Sequence, residues 1–174
     1  MASIIGFPDP VDEVSARLVA AGVVVLSVAT VALDQPWLML VIAYGFVARV
    51  LTGPRLSPLG LLVTRVVRPR LPVAPRLVPG PPKRFAQGIG VAFSVTAAVL
   101  AVGFGAAGAG YAVLGLLTAA ATLEAVFGLC LGCKAFALLM RLGVIPETVC
   151  ERCRDLDLAG RSRSGPGSRS LVTR

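Results

Sequence analysis

From Phe85 to Met140 the chain carries only three strongly polar side chains, Gln87, Glu124 and Lys134. A stretch of that length and character has too little polar surface to sit in water. In an apolar surround its backbone N–H and C=O groups must be satisfied within the segment, which means helix. The glycine-rich stretch Gly103-Phe-Gly-Ala-Ala-Gly-Ala-Gly110 divides it into two predicted helices, about 87–104 and 111–140. The second exceeds what a bilayer needs, so it is expected to tilt, kink or project from the membrane. Upstream, Leu18 to Leu33 is free of charge and has no breaker except Gly22. At about 1.5 Å per residue it reaches roughly 24 Å, slightly less than a bilayer core. Arg17 and Asp34 can extend from its two ends to the interfaces. After the turn Asp34-Gln35-Pro36 comes a second apolar run, about 37–51, opened by Trp37, a residue suited to the membrane interface. The reading is an all-α polytopic membrane protein of four spans (about 17–33, 37–51, 87–104 and 111–140) arranged as two helical hairpins in contact with the lipid bilayer. Composition agrees. The chain is 56% hydrophobic and 15% charged, against about 25% charged in soluble domains, and its mean hydropathy is +0.83.

The net charge of +8 is distributed unevenly. Between Thr52 and Arg84 stand Arg55, Arg65, Arg68, Arg70, Arg76, Lys83 and Arg84, with no acidic residue. Four spans put both termini and this loop, 52–86, on one side, and the positive-inside rule makes that side the cytoplasm of a bacterial inner membrane. The basic residues flank apolar segments instead of forming a stripe interleaved with aromatics, so nucleic acid is excluded as a partner. Within the loop Leu59, Leu62, Val63, Val66 and Val67 share a helical face, which predicts a short helix in the headgroup plane. The prolines from Pro69 to Pro82 predict extended chain, including Pro79-Gly-Pro-Pro82. The acidic residues before Ser15 do not resemble the positive start of a secretory signal. Residues 143–159 form a cytoplasmic segment, and the Gly/Ser/Arg-rich tail 160–174 has no apolar content with which to fold.

Chemistry is concentrated in the cysteines. Cys130 and Cys133 form a Cys-x-x-Cys pair inside the fourth apolar run, and Cys150 and Cys153 form a second. Three readings fit. In the first, the Cys130/Cys133 pair closes to a disulfide and reopens by exchange with a soluble thiol partner, a thiol-redox activity. Lys134, beside Cys133 and one turn from Cys130, would lower a thiol pKa. In the second, Cys130, Cys133, Cys150 and Cys153 hold a structural Zn²⁺, since the spacing falls within the loose range of four-thiolate sites. In the third, the protein carries a small sulfur species or a soft metal ion, with Glu124 as the coupling residue. Four short spans make a small carrier, so that reading implies a homo-oligomer. The chain has no histidine, which rules out His-based catalysis and His metal sites, and it shows no nucleotide-binding fingerprint.

A shift of 75 residues overlays the two hairpins without a gap. Gly53 falls on Gly128, Arg55 on Cys130 and Arg49 on Glu124. A parallel repeat about an axis along the membrane normal would place Arg49 and Glu124 at equal depth as an ion pair, and Arg55 near the level of Cys130. Glu124 is thereby read as a partner of Arg49 ahead of a catalytic acid for the cysteines.

Three stretches in order, Thr52-Gly-Pro-Arg-Leu-Ser-Pro-Leu-Gly60, Arg84-Phe-Ala-Gln-Gly88 and Phe127-Gly-Leu-Cys-Leu-Gly-Cys133, resemble an uncharacterised family of bacterial membrane proteins, the domain of unknown function 4395. The resemblance covers about Pro10 to Leu142. It implies a helical membrane protein and brings no assigned activity. Its relatives tend to be encoded near thioredoxin-like proteins and rhodanese-type sulfurtransferases, which implies a soluble partner of that kind and sulfur or thiol chemistry. Cys150 and Cys153 lie beyond it.

Overall fold

The computed structural model describes residues 9–146 and 149. Four helical segments are long and apolar enough to cross a membrane: Glu13–Ala32, Leu38–Arg70, Gly80–Gly103 and Ala107–Phe127. Apart from a two-residue strand pair the described residues are essentially all-α. The expected tail from Gly160 and the second cysteine pair, Cys150 and Cys153, lie outside the described residues.

Helix α1 (Glu13–Ala32) starts where Asp12 accepts a hydrogen bond from the Val14 amide, 3.3 Å, and Glu13 supplies the acidic first turn. Asp12 also belongs to strand β1 (Val11–Asp12), which pairs antiparallel with β2 (Leu77–Val78). Its carboxylate accepts further hydrogen bonds from Ser15 Oγ (2.8 Å), Arg68 Nε (2.6 Å) and the Arg76 amide (3.3 Å). One acidic side chain thus fastens the basic loop to the start of α1. The predicted turn at Asp34 follows, with Asp34 at φ 48°. Helix α2 (Leu38–Thr52) ends on Gly53, at φ 63°. A single 3₁₀ turn then leads into α3 (Pro58–Leu62), capped by Ser57 and prolonged by a wide π-type turn over Val63–Val67. The predicted short helix is present. Its apolar residues divide: Val63 is buried beside Gly60, whereas Leu62 and Val66 are exposed.

Two expectations need correcting. Pro79-Gly-Pro-Pro82 was expected to be extended, but α4 (Gly80–Ala98) starts inside it. Prolines in the first helical turn lose no hydrogen bond, because those N–H groups have no acceptor in a helix anyway. Lys83 and Arg84 therefore belong to a span and not to the loop. The expected single helix over 111–140 is two. Helix α5 (Ala107–Phe127) stops at Gly128, whose φ of 68° is left-handed, and the amides of Gly128 and Leu129 donate back to Glu124 O and Leu123 O at 3.0 and 3.1 Å. Helix α6 (Leu131–Arg141) then starts afresh. Glycine in the left-handed region is the usual way for a chain to leave a helix, and here it overrides an unbroken apolar pattern.

Packing follows the two-hairpin plan. The most extensive helix contacts are α2 with α4 and α1 with α5. Exchange of the two hairpins about an axis turns one of these pairs into the other. Each hairpin also ends alike, in a positive-φ glycine (Gly53, Gly128) followed by a capped helix that packs back on the first helix of its own hairpin, α3 on α1 and α6 on α4. Small residues permit these approaches. A Cβ at Gly22 would meet Leu59 at 2.5 Å, and one at Gly132 would meet Ala86 at 2.5 Å. Met39, Ile42, Phe46, Ala97, Leu114 and Leu117 form the centre of the core. Val25, Val28, Leu40, Val47, Leu116 and Val126 point outward, the distribution a lipid-facing surface requires.

Candidate thiol site at the break after the fourth span

The break between α5 and α6 positions the cysteines. Cys130 is the N-cap residue of α6, with extended backbone (φ −81°, ψ 101°), and its sulfur accepts a hydrogen bond from the Cys133 amide at 3.3 Å. A thiol in this place does what a serine or aspartate N-cap does, satisfying one of the free amides of the first turn. The two sulfurs are 2.6 Å apart, with the Cys133 thiol donating to Cys130. Cys130 is buried and Cys133 half-buried. The asymmetry shows in their acidity. The hydrogen bond from Cys133, first of all, holds the Cys130 thiol below its ordinary pKa against the effect of burial, and Lys83 assists. Cys133, which gives up its hydrogen to that bond and is itself buried, is pushed up.

Lys83, not Lys134, is the cation beside the thiols. Lys134 is exposed, and its backbone amide donates to Cys130 O at 3.1 Å as an ordinary bond of the helix. Lys83 Nζ lies 2.6 Å from Glu124 Oε1, and both side chains are largely buried (10% and 18% exposed). The expected Arg49–Glu124 ion pair is thus replaced by Lys83–Glu124. A helix that starts at Gly80 carries Lys83 into the bundle at the level of Glu124, and the shorter ammonium takes the carboxylate. Arg49 is buried close by, its guanidinium 4.4 Å above the Phe46 ring. Arg55 is exposed on the 3₁₀ turn and does not line the cavity that Cys130 lines.

These groups share one cavity of about 360 Å³, enclosed by α1, α2, α4, α5 and α6. Arg49, Lys83, Gln87, Glu124 and Cys130 supply its polar lining, and residues such as Val19, Phe46, Phe93 and Leu117 the apolar remainder. The end of α5 is tied to α1 by Arg17, whose Nε and Nη2 donate to Ala125 O (3.2 and 3.1 Å) and whose Nη2 donates to Val126 O (2.8 Å). A cation at the exposed carbonyls of a helix C-terminus is favourable on charge as well as hydrogen bonding. Phe85 and Phe136, with ring centroids 5.5 Å apart, hold α6 against α4.

Sequence reasoning missed Lys83 and Gln87 as members of the site. The signal was there: Lys83, Ala86, Gln87, Gly90 and Phe93 recur at helical spacing and all line the cavity. It was obscured by the proline pair, which made the stretch look like a linker. Among the described residues no three potential metal ligands come together.

No curated protein and no solved structure matches the chain. Residues 11–141 match a protein family, and that span takes in the six α-helices of the described residues, the Lys83–Glu124 pair and the Cys130/Cys133 break. The chain belongs to the family described as Domain of unknown function (DUF4395).

Proposed function

We propose that the protein is a membrane thiol–disulfide exchange component, acting through Cys130 and Cys133. The observation that carries this reading is the contact of the two sulfurs, 2.6 Å, at the N-terminus of α6. Two further features support it: the lowered pKa of Cys130 and the Lys83 ammonium near it. A helix N-terminus and a nearby cation both favour thiolate, which is the reactive form.

The step balances without an added redox group. The Cys130 thiolate attacks one sulfur of a partner disulfide, forming a mixed disulfide and releasing the partner's other sulfur as a thiolate. Cys133, on losing its proton to that thiolate or to water, attacks Cys130 and releases the first partner sulfur. Two electrons pass from the Cys130/Cys133 dithiol to the partner, and the reverse sequence recharges it. The elevated pKa of Cys133 keeps it protonated until the mixed disulfide forms, when the hydrogen bond to a thiolate is gone. A soluble thioredoxin-like or rhodanese-type protein as that partner rests on the family resemblance alone, whereas the cytoplasmic placement of the termini rests on the basic loop between the hairpins.

The test is a redox titration of the purified full chain, with maleimide mass-tagging and a metal assay. The expected result is a two-electron couple confined to Cys130 and Cys133, with no stoichiometric metal. Cys133→Ser should accumulate a mixed disulfide that the unaltered protein resolves. Failure to form an intramolecular disulfide under oxidising buffer, or zinc shielding all four thiols, overturns the reading.

A further inference from the structure

Arg49 is 5% exposed, and its Nε and Nη1 have no hydrogen-bond partner. Gln87 Oε1, on the same cavity wall, has none either. Burying a cation with hydrogen-bond donors left unpaired is among the costliest arrangements in a protein, the more so within an apolar bundle. Glu124, whose charge acts on Arg49, is hydrogen-bonded to Lys83 at 2.6 Å and not to Arg49. Arg49, Lys83 and Glu124 together leave an excess of one positive charge. The Phe46 ring stacked on the guanidinium orients it and leaves its N–H edges free. Arg49, Lys83 and Gln87 also line a second cavity, about 160 Å³, on the side of Asp12, Ser15 and Thr64, where the basic loop is attached. They therefore stand between a mostly apolar chamber and a polar approach.

We infer that Arg49 and Gln87 form a binding site for a small, singly charged oxyanion that also carries a hydroxyl group. The single charge matches the excess of one. The anionic oxygen meets the free N–H groups of Arg49, and the hydroxyl supplies the donor that the Gln87 carbonyl lacks. The smaller cavity, about 160 Å³, admits a ligand of a few heavy atoms, and the basic residues at the loop end draw anions toward it. This inference does not rest on the thiol reading, because neither orphaned group is a cysteine or bonds to one.

The experiment is thermal unfolding and isothermal titration of the full chain in nanodiscs at constant ionic strength, using hydrogencarbonate, glycolate, nitrate and chloride as probes. Hydrogencarbonate or glycolate is expected to bind and to raise the unfolding temperature, with nitrate and chloride weaker. Arg49→Met should weaken that binding by about thirtyfold or more, the loss typical of truncating one partner of a buried charged hydrogen bond. If Arg49→Met does not fold, Ala120→Phe serves instead: it fills the chamber, leaves Arg49 in place and should abolish the response. The response should persist in Cys130→Ser/Cys133→Ser, which separates this site from the thiol reading. Equal effects of all four anions, or a response unchanged by Arg49→Met or Ala120→Phe, overturn the proposal.

Discussion

Asp12 is the residue on which the loop end of the molecule turns. It caps α1, accepts from Arg68 and from the Arg76 backbone, and belongs to the only strand pair among the described residues. Partial burial opposes its ionisation, yet the hydrogen bonds from Arg68, Ser15 and the Val14 amide outweigh that and hold its pKa below the ordinary 3.8. A carboxylate whose pKa is depressed by folding contributes stability that is present above the unfolded value and lost as pH falls through the folded one. Stability should therefore decline below about pH 4, and Asp12→Asn should flatten that decline while keeping the cap; unfolding temperature measured from pH 6 to 2.5 checks this. Lys83 and Glu124 behave differently because both are largely buried. Lys83→Met leaves the Glu124 carboxylate without its hydrogen-bonded cation, with only the charge of Arg49 near it, and should cost about 3 kcal/mol. Lys83→Met with Glu124→Leu should recover most of that loss, since an apolar pair needs no partner. A double-mutant cycle on unfolding in detergent gives the coupling directly.

At the scale of elements, the glycines decide where chain direction changes. The spans and the glycine turn at 103–110 were legible because apolar runs and clustered glycines are properties of many residues at once. The end of α5 was not. Gly128 is one residue in a sequence that stays apolar on both sides, and only the left-handed backbone there reveals that the helix stops. The same blindness hid the start of α4, where Pro81 and Pro82 read as breakers although the first turn accepts them. Both misreadings moved the site: one made Cys130 a residue inside a helix when it is a cap, and the other left Lys83 in the loop. The cysteine pair itself, and the need for a basic partner to Glu124, were visible from residue type; which cation would serve depended on a boundary. Gly132 tests the packing of α6. Its added Cβ would meet Ala86 Cβ and Cα at 2.5 and 2.6 Å, and backbone cannot yield as a flexible side chain can. Gly132→Ala should destabilise by about 1–3 kcal/mol and, by lifting α6 from α4, speed alkylation of Cys130 by a membrane-impermeant iodoacetamide. Unchanged alkylation rates would detach the thiol's shielding from the α4–α6 contact.

For the molecule as a whole, the two ends of the bundle are chemically unlike. One end holds Asp12, the basic loop, Arg17 on the last carbonyls of α5, and the Lys83–Glu124 pair. At the other, Tyr111 Oη donates to Asp34 at 2.7 Å and Trp37 Nε1 donates to Gln35 at 3.0 Å, with Phe104 exposed nearby in the chain's glycine turn. Both hairpins must enter from the same end, because α1 packs on α5 and α2 on α4 while the loop between the hairpins is fastened to the start of α1. For an even number of spans with a basic loop we propose the orientation that the positive-inside rule favours, with the cysteine end facing the cytoplasm. That orientation can be measured with reporters placed away from the site. In a background carrying Cys130→Ser, Cys133→Ser, Cys150→Ser and Cys153→Ser, single reporters Phe104→Cys and Leu77→Cys occupy opposite ends at positions 76% and 63% exposed. An impermeant maleimide applied to intact cells should label the first reporter and spare the second until the membrane is opened. The opposite pattern would turn the molecule over and hand the Cys130/Cys133 pair to an extracytoplasmic partner, with the thiol chemistry unchanged and the source of its electrons reversed.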